Sequence, residues 1–266
     1  MKKILNYILV LIYKRRLGKK ILSYIGVFNM NQYENVKHNN INLYFMTPNW
    51  INSYRAATFA TKEPETLEWI ENIVPGSIIW DIGANVGLYS IYASKLNKGK
   101  VFAFEPSVFN LEILSRNIYI NNLQDNITII PIPLSNSTSN NLFQMTSTQW
   151  GGALSTFGAS IDQNGNPIKE IFEYKILGTS IDEMLKTFQL KNPDYIKIDV
   201  DGIEHLILTG ASEVLLKVRS VLIEIDDNFI EQTEKSKILL EKAGLVLFKK
   251  CKIDSTNQYN QWWVRK

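Results

Sequence analysis

Apolar residues follow two rhythms along this chain. Short, nearly continuous apolar runs occupy 77–82, 100–104, 126–131, 194–199 and 219–225. Runs of that length read as strands buried on both faces. Between them apolar positions recur at helical spacing. Leu67, Ile70, Ile73 and Val74 mark one helix, which starts at Thr61-Lys62-Glu63-Pro64 with Pro64 in the first turn and is stopped by Pro75-Gly76. Helices are also predicted over 86–96 and 106–121, from Thr179-Ser180-Ile181-Asp182-Glu183, and between the last two apolar strands. A strand near 172–176 and an alternating tail over 244–266, read as a terminal β-hairpin, complete the pattern. Strands alternating with helices define an α/β fold with a mostly parallel sheet covered on both faces. No internal repeat is visible.

Two regions depart from this rhythm. Residues 135–170 are rich in Ser, Thr, Asn and Gly around Trp150-Gly151-Gly152. An aperiodic stretch of that length is usually functional or disordered. Residues 20–60 are Asn- and Tyr-rich, with a short strand at Asn42–Met46 ended by the Pro48 turn. The chain is therefore divided into an N-terminal extension, 1–60, and a main domain, 61–266.

Charge sharpens the division. The first twenty residues carry Lys2, Lys3, Lys14, Arg15, Arg16, Lys19 and Lys20 and no acid. These seven charges exceed the chain's net +3, so the rest is net −4, and a nucleic-acid partner is not expected. The apolar run Ile4–Tyr13 between the basic clusters has about half the length of a membrane span. No small-residue cleavage site follows it. Two readings stay open: a helix packed on the domain, or peripheral membrane contact through residues 1–20. Hydrophobic content of 45% is ordinary for a soluble protein. The single Cys251 rules out an internal disulfide and implies a reducing compartment. A cytoplasmic location follows, with attachment at the inner membrane face under the second reading. With only His38 and His205, a histidine metal site has little support, and no metal is expected.

The chemistry concentrates where strands end. Ile78-Ile79-Trp80-Asp81-Ile82-Gly83-Ala84-Asn85-Val86-Gly87 runs from a strand through a small-residue loop into a helix. An ordinary strand-to-helix turn would explain the loop alone. Glu105 lies twenty-two residues beyond Gly83, at the end of the next strand, in Phe104-Glu105-Pro106. Such an acid accepts ribose hydroxyls in a βαβ nucleotide-binding half. A dinucleotide loop wants glycine where this chain has Asn85, because a pyrophosphate must approach backbone closely. S-adenosylmethionine has no phosphate, and its cationic end favours a carboxylate such as Asp81. The cofactor-binding candidates are Asp81, Gly83, Ala84, Asn85, Gly87, Glu105, Pro106, Ser135 and Asp199.

A second constellation is Tyr195-Ile196-Lys197-Ile198-Asp199-Val200-Asp201-Gly202-Ile203-Glu204-His205. Strand alternation puts Lys197, Asp199 and Asp201 on one face, with Glu204 and His205 opening the next helix. Asp199, Asp201, Glu204 and His205 are the catalytic candidates, since acids at such a rim can serve as a general base. Glu224 and Asp226-Asp227 end the following strand and border the same rim. These acids permit a divalent ion, but their spacing does not demand one.

Taken together, Trp-Asp-Ile-Gly-Ala-Asn-Val-Gly-Leu-Tyr-Ser, Ala-Phe-Glu-Pro-Ser-Val-Phe-Asn with Asn117 and Asn121-Asn122, Ile-Lys-Ile-Asp-Val-Asp-Gly-Ile-Glu and Leu-Thr-Gly-Ala resemble the FkbM family of S-adenosylmethionine-dependent methyltransferases. The resemblance runs from about Pro64 to Glu224. It implies a Rossmann-like class I methyltransferase fold, a seven-stranded mostly parallel sheet with an antiparallel last strand, and makes 61–266 the methyltransferase domain. It also implies O-methyl transfer, often to a sugar hydroxyl of a glycan, polysaccharide or glycosylated natural product. Under it, Asp81, Gly83, Asn85 and Gly87 line the methionine end of the cofactor, Glu105 holds ribose, and Asp199 lies near the methyl group. Asp201 stands where the family usually has Glu. Acceptor specificity is expected in residues 1–60 and 135–170.

On this reading Asp199→Asn abolishes turnover in a folded protein. The rivals are a nicotinamide-dependent sugar oxidoreductase, disfavoured by Asn85, and a non-catalytic cofactor-binding scaffold in glycan assembly. The acceptor is a small molecule or glycan of unspecified identity, and the oligomeric state is open.

Overall fold

Alternation within one short strand sets the architecture. In the computed structural model, which describes residues 2–253 and 256–266, Ile79 packs into one hydrophobic cluster while Trp80 and Ile82 pack into another on the opposite sheet face. A strand that buries both faces must lie inside a sheet with layers above and below it.

The chain begins with helices α1 (Lys2–Tyr13) and α2 (Arg16–Met30) and a hairpin of β1 (Tyr33–His38) and β2 (Ile41–Met46). Asn39 and Asn40 at its tip both have positive φ, 45° and 60°. Asn tolerates that conformation, and a two-residue turn of this hand matches strand twist. Next come α3 (Trp50–Ala57), capped by the Asn49 side chain, and α4 (Pro64–Glu71). The core then alternates as β3 (Ile79–Ile82), α5 (Leu88–Asn97), β4 (Val101–Phe104), α6 (Val108–Ile120) and β5 (Ile127–Ile130). Three further strands follow, β6 (Ser139–Met145), β7 (Ser155–Phe157) and β8 (Phe172–Gly178). The remainder is α7 (Ile181–Phe188), β9 (Tyr195–Ile198), α8 (Glu204–Thr209), β10 (Ser220–Asp226), α9 (Ile230–Lys242), β11 (Leu245–Lys252) and β12 (Gln258–Arg265).

Seven strands form the main sheet in the order β11-β12-β10-β9-β3-β4-β5. The last strand, β12, runs antiparallel to both neighbours, and the pairs among β10, β9, β3, β4 and β5 are parallel. This is the Rossmann-like arrangement expected from the sequence. Chain order reverses between β3 and β9, so their carboxyl ends open a crevice where open α/β sheets bind ligands.

The 135–170 region is more ordered than its composition suggests. β6 pairs antiparallel with β7 and with β8, forming a three-stranded sheet of its own. The extension from β1 onward is also built into the fold. Leu43 and Phe45 are buried in the same cluster as Ile79, and Asn117 on α6 accepts from Met46 N at 2.7 Å and donates to Val86 O at 2.8 Å. Residues 4–13 differ, because every one of them is exposed. α1 is helical as the apolar run implied, but it is not packed on the domain.

Candidate active site

A cavity of about 370 Å³ opens at the carboxyl ends of β3, β4, β9 and β10. That is within the range of small-molecule sites. One wall is the Gly83–Asn85 turn, and another is Glu105-Pro106 after β4. Phe104, Ile132, Pro133, Leu134, Phe143 and Phe157 supply an apolar slot. The acids Asp199, Asp201 and Glu224 face it, with Arg55 on α3 and Lys62 in the loop before α4 reaching in. A smaller cavity of about 60 Å³ continues past Ala84 toward Lys197 and Tyr89.

The turn after β3 is shaped by what lies beside it. Gly83 has φ 85°, and a Cβ there would sit 1.8 Å from the Asp199 carbonyl oxygen. Only glycine lets the β3 turn seat against the β9 rim. Asn85 also has positive φ, 51°. Its backbone N–H donates to Glu105 at 2.8 Å, and its side-chain amide donates to Gly152 O at 2.8 Å. Asn110 donates to the same carbonyl and accepts from Gly151 N. The Asn85 side chain therefore ties the Trp150-Gly151-Gly152 loop down over the turn, a use the sequence did not suggest.

Glu105 is buried, with its two oxygens accepting from Asn85 N at 2.8 Å and Ser107 N at 2.7 Å. Burial pushes its carboxyl up to about 7, against the pull of those N–H groups. Each oxygen retains a lone pair for a further donor.

At the β9 end, Asp199 pairs with the buried Lys197 at 2.7 Å. Burial raises the Asp199 carboxyl, but Lys197, Lys62 and Arg55 outweigh it and hold the group below its ordinary value. Such a carboxylate is a poor proton acceptor. Asp201 sits in the left-handed region at φ 63° and accepts from Leu154 N at 2.8 Å and Ser155 N at 3.3 Å. Burial, then Asp199, pushes it up to about 6. It thus fastens the long insert to the rim. Glu224 stands apart. Burial first, then the charges of Asp199, Glu63, Asp201 and Glu204, hold it well above the ordinary carboxylate range. Among the described residues nothing hydrogen-bonds to its carboxylate.

Several candidates lie elsewhere. Glu204 is buried and accepts from Val200 N, Gly202 N and the Gln232 amide, so its carboxylate is consumed in folding the loop after β9. His205 turns into the interior, edge-on to Phe229 at 5.6 Å, and burial lowers its proton affinity. Neither lines the cavity. The sequence placed them at the rim because they begin a helix there, but α8 points both inward. Ser135 is buried and its backbone bonds Thr179 O; Pro133 and Leu134 take the cavity wall instead. Gly87 faces Leu114, not the cavity. Asp81 lies beneath the turn, accepting from Ser90 Oγ at 2.5 Å, with its other oxygen unpartnered among the described residues. Arg55 and Lys62 were missed, Arg55 because its segment reads as an extension and Lys62 because it reads only as part of a helix start. Arg55 is aimed by two bonds to Gly151 O, at 3.0 and 2.8 Å. Among the described residues no group of three or more His, Cys, Asp or Glu is disposed to hold a metal.

A glycine turn after β3, an acid after β4 and a cavity at the switch point define a Rossmann-like methyltransferase of class I. Within that class, the chain belongs to the FkbM methyltransferase family: the family model described as Methyltransferase FkbM domain matches residues 81–249. The family is one of S-adenosylmethionine-dependent enzymes. Among curated relatives, the hexuronic acid methyltransferase AglP of Haloferax volcanii is 27% identical over 175 residues, 65% of either protein. Methyltransferase sdnD of Sordaria araneosa is 26% identical over 182 residues, 58% of this chain and 68% of that protein. The match thus spans just under two thirds of the AglP relative. Solved structures with similar folds include a SAM-dependent methyltransferase from Aquifex aeolicus, with TM-score 0.46, 13% identity, and coverage of 81% of this chain and 97% of that one. Another is M. capricolum TrmK with S-adenosylhomocysteine, with TM-score 0.47, 14% identity, and coverage of 75% and 67%.

Proposed function

We propose that the protein is an S-adenosylmethionine-dependent O-methyltransferase acting on a sugar hydroxyl of a glycan or glycosylated small molecule. The observation that carries this reading is the pairing, on one cavity, of the Glu105 carboxylate after β4 with an acid cluster on the far side of β3, at the ends of β9 and β10. The donor set suits the cofactor. Glu105 offers anionic lone pairs to a ribose, the apolar slot suits an adenine, and Gly83 and Ala84 leave the turn open. No backbone cradle of glycines for a pyrophosphate is present, since Asn85 fills that place and its amide is already bonded. When bound, S-adenosylmethionine supplies a methyl group on a sulfonium.

The chain's own residues then have separable tasks. Asp199 keeps Lys197 charged and in place. Asp201 and Asn85 hold the 150s loop over the cavity and exclude water. Arg55 and Lys62 leave donors near the acids for the acceptor's hydroxyls. Glu224 takes the proton of the attacking hydroxyl, because it alone among the acids named at the cavity has an unengaged carboxylate. Asp199, Asp201 and Glu105 are all held by bonds within the protein. A sugar acceptor is supported by the relative whose name specifies a hexuronic acid.

Two measurements test this reading. Transfer of labelled methyl from the cofactor to a saccharide fraction is expected, and label appearing only on protein or RNA contradicts it. Affinity for S-adenosylhomocysteine should also depend on pH. Ribose hydroxyls donate to the ionised carboxylate, and Glu105 loses its proton near 7. Binding therefore strengthens as pH rises through that value and weakens by about tenfold per unit below it. Glu105→Gln should weaken binding and flatten the profile. A flat wild-type profile removes Glu105 from the site.

A further inference from the structure

We propose that α1 and α2 form a docking element for an anionic phospholipid surface. The inference is independent of the methyl-transfer reading, because no residue of α1 or α2 lines the cavity. α1 is apolar except for Asn6 from Ile4 to Tyr13, between Lys2-Lys3 and the Lys14-Arg15-Arg16 that follows it, with Ile4, Tyr7, Val10 and Tyr13 each more than half exposed. A helix of that character is ordinarily buried, in protein or in lipid. At twelve residues it reaches about 18 Å, too short to cross a bilayer core of about 30 Å. No helix among the described residues is long and apolar enough to cross a membrane.

α2 has a different design with the same implication. Leu17, Ile21, Tyr24, Ile25 and Phe28 recur at helical spacing along one stripe, and all are exposed. Lys20 and then Arg16 lie along one edge of that stripe, while Lys19 sits over the Tyr13 ring of α1 at 5.3 Å. An apolar stripe bordered by Lys and Arg is the pattern of helices that lie in a membrane interface. The two helices meet closely at Gly18, where a Cβ would fall 1.9 Å from Ile12 O. They therefore act as one angled unit.

Charge identifies the partner. Seven Lys and Arg fall within residues 1–20, and the first acid in the sequence is Glu34. Large exposed apolar side chains beside those charges match a lipid surface with anionic headgroups. A nucleic acid would take the charges and leave the apolar stripe in water. The unit is also joined to the catalytic end of the sheet: Met30, the last residue of α2, packs against the small cluster of Met46, Val86 and Ile113, against which Trp150 of the loop also packs. A surface bound by α1 and α2 would lie beside the cavity rim.

The test is vesicle co-sedimentation of the full chain. Vesicles of phosphatidylcholine doped with phosphatidylglycerol should carry the protein down, and pure phosphatidylcholine much less. Lys14→Glu/Arg15→Glu/Arg16→Glu should weaken binding to the anionic vesicles by about a hundredfold or more. Leu17→Ser/Tyr24→Ser/Phe28→Ser should weaken it on either vesicle, with unchanged circular dichroism in both variants. The proposal fails if wild type stays in the supernatant with anionic vesicles, or if neither variant alters pelleting. It also fails if an oligonucleotide binds as tightly as the vesicles, or if the stripe variant's main effect is to dissociate a dimer in sedimentation velocity.

Discussion

Glu224→Gln lowers methyl transfer by about 10²–10⁴-fold, the usual contribution of a positioned general base. S-adenosylhomocysteine still binds this variant as it binds wild type, because the side chain keeps its shape and lies across the cavity from Glu105. The argument is one of available lone pairs. A base must accept the acceptor's proton, so its oxygens cannot be fully engaged elsewhere. Asp199 is held by Lys197 and Asp201 by two backbone N–H groups. Glu224 is surrounded by like charge and partly buried, which raises its proton affinity. That makes its ionised form a stronger base than an ordinary carboxylate and than Asp199, which is held low. The rate of wild type should rise with pH along a limb above the ordinary carboxylate range, as Glu224 loses its proton. The variant should lack that limb. Initial rates with labelled cofactor and a saccharide acceptor check both points, and an unchanged rate in Glu224→Gln excludes the assignment.

Asp199→Ala destabilises the fold by about 3 kcal/mol, the scale for leaving a buried charge without its partner. Lys197 is 3% exposed and sits over the Tyr89 ring at 5.3 Å. Burial alone would depress its proton affinity; the carboxylates of Asp199, Asp81 and Glu63 reverse that and keep it charged. Removing Asp199 leaves a buried ammonium without the carboxylate that directly bonds it. The urea midpoint should fall, and the double variant Lys197→Met/Asp199→Ala should recover most of the loss, since an apolar side chain needs no partner. An unchanged midpoint in Asp199→Ala contradicts the structural role. Asp199→Asn is accordingly expected to lose stability along with turnover. That departs from the sequence-based expectation of a well-folded, inactive protein.

The main sheet was legible because its parallel strands are buried on both faces and so appear as continuous apolar runs. The acids at their ends were legible too, since an ionisable residue closing such a run requires a reason. What escaped notice depends on long-range pairing. β6 is half polar along its length and pairs with β8 across separations of 27 to 39 residues, so no local pattern marks it as a strand. Arg55 reaches the cavity because β1, β2 and α3 fold back onto α5 and α6, which a linear reading as an extension does not reveal. His205 and Glu204 were misplaced for the opposite reason. They adjoin Asp201 in sequence, yet the positive φ of Asp201 and Gly202 redirects the chain and turns both side chains into the core. Asn85 was correctly taken as a departure from a dinucleotide loop, but the bond to Gly152 that gives it a purpose spans 67 residues.

Calorimetric titration with S-adenosylhomocysteine, on wild type and on Gly83→Ala, bears most directly on the nucleoside site. The cavity predicts saturable binding at one site per chain in wild type. It predicts strongly reduced binding in the variant, because the new Cβ would displace the turn from the Asp199 carbonyl only 1.8 Å away. Absence of heat with folded wild-type protein, or equal affinity in the two proteins, would show that the cofactor is not held at this rim.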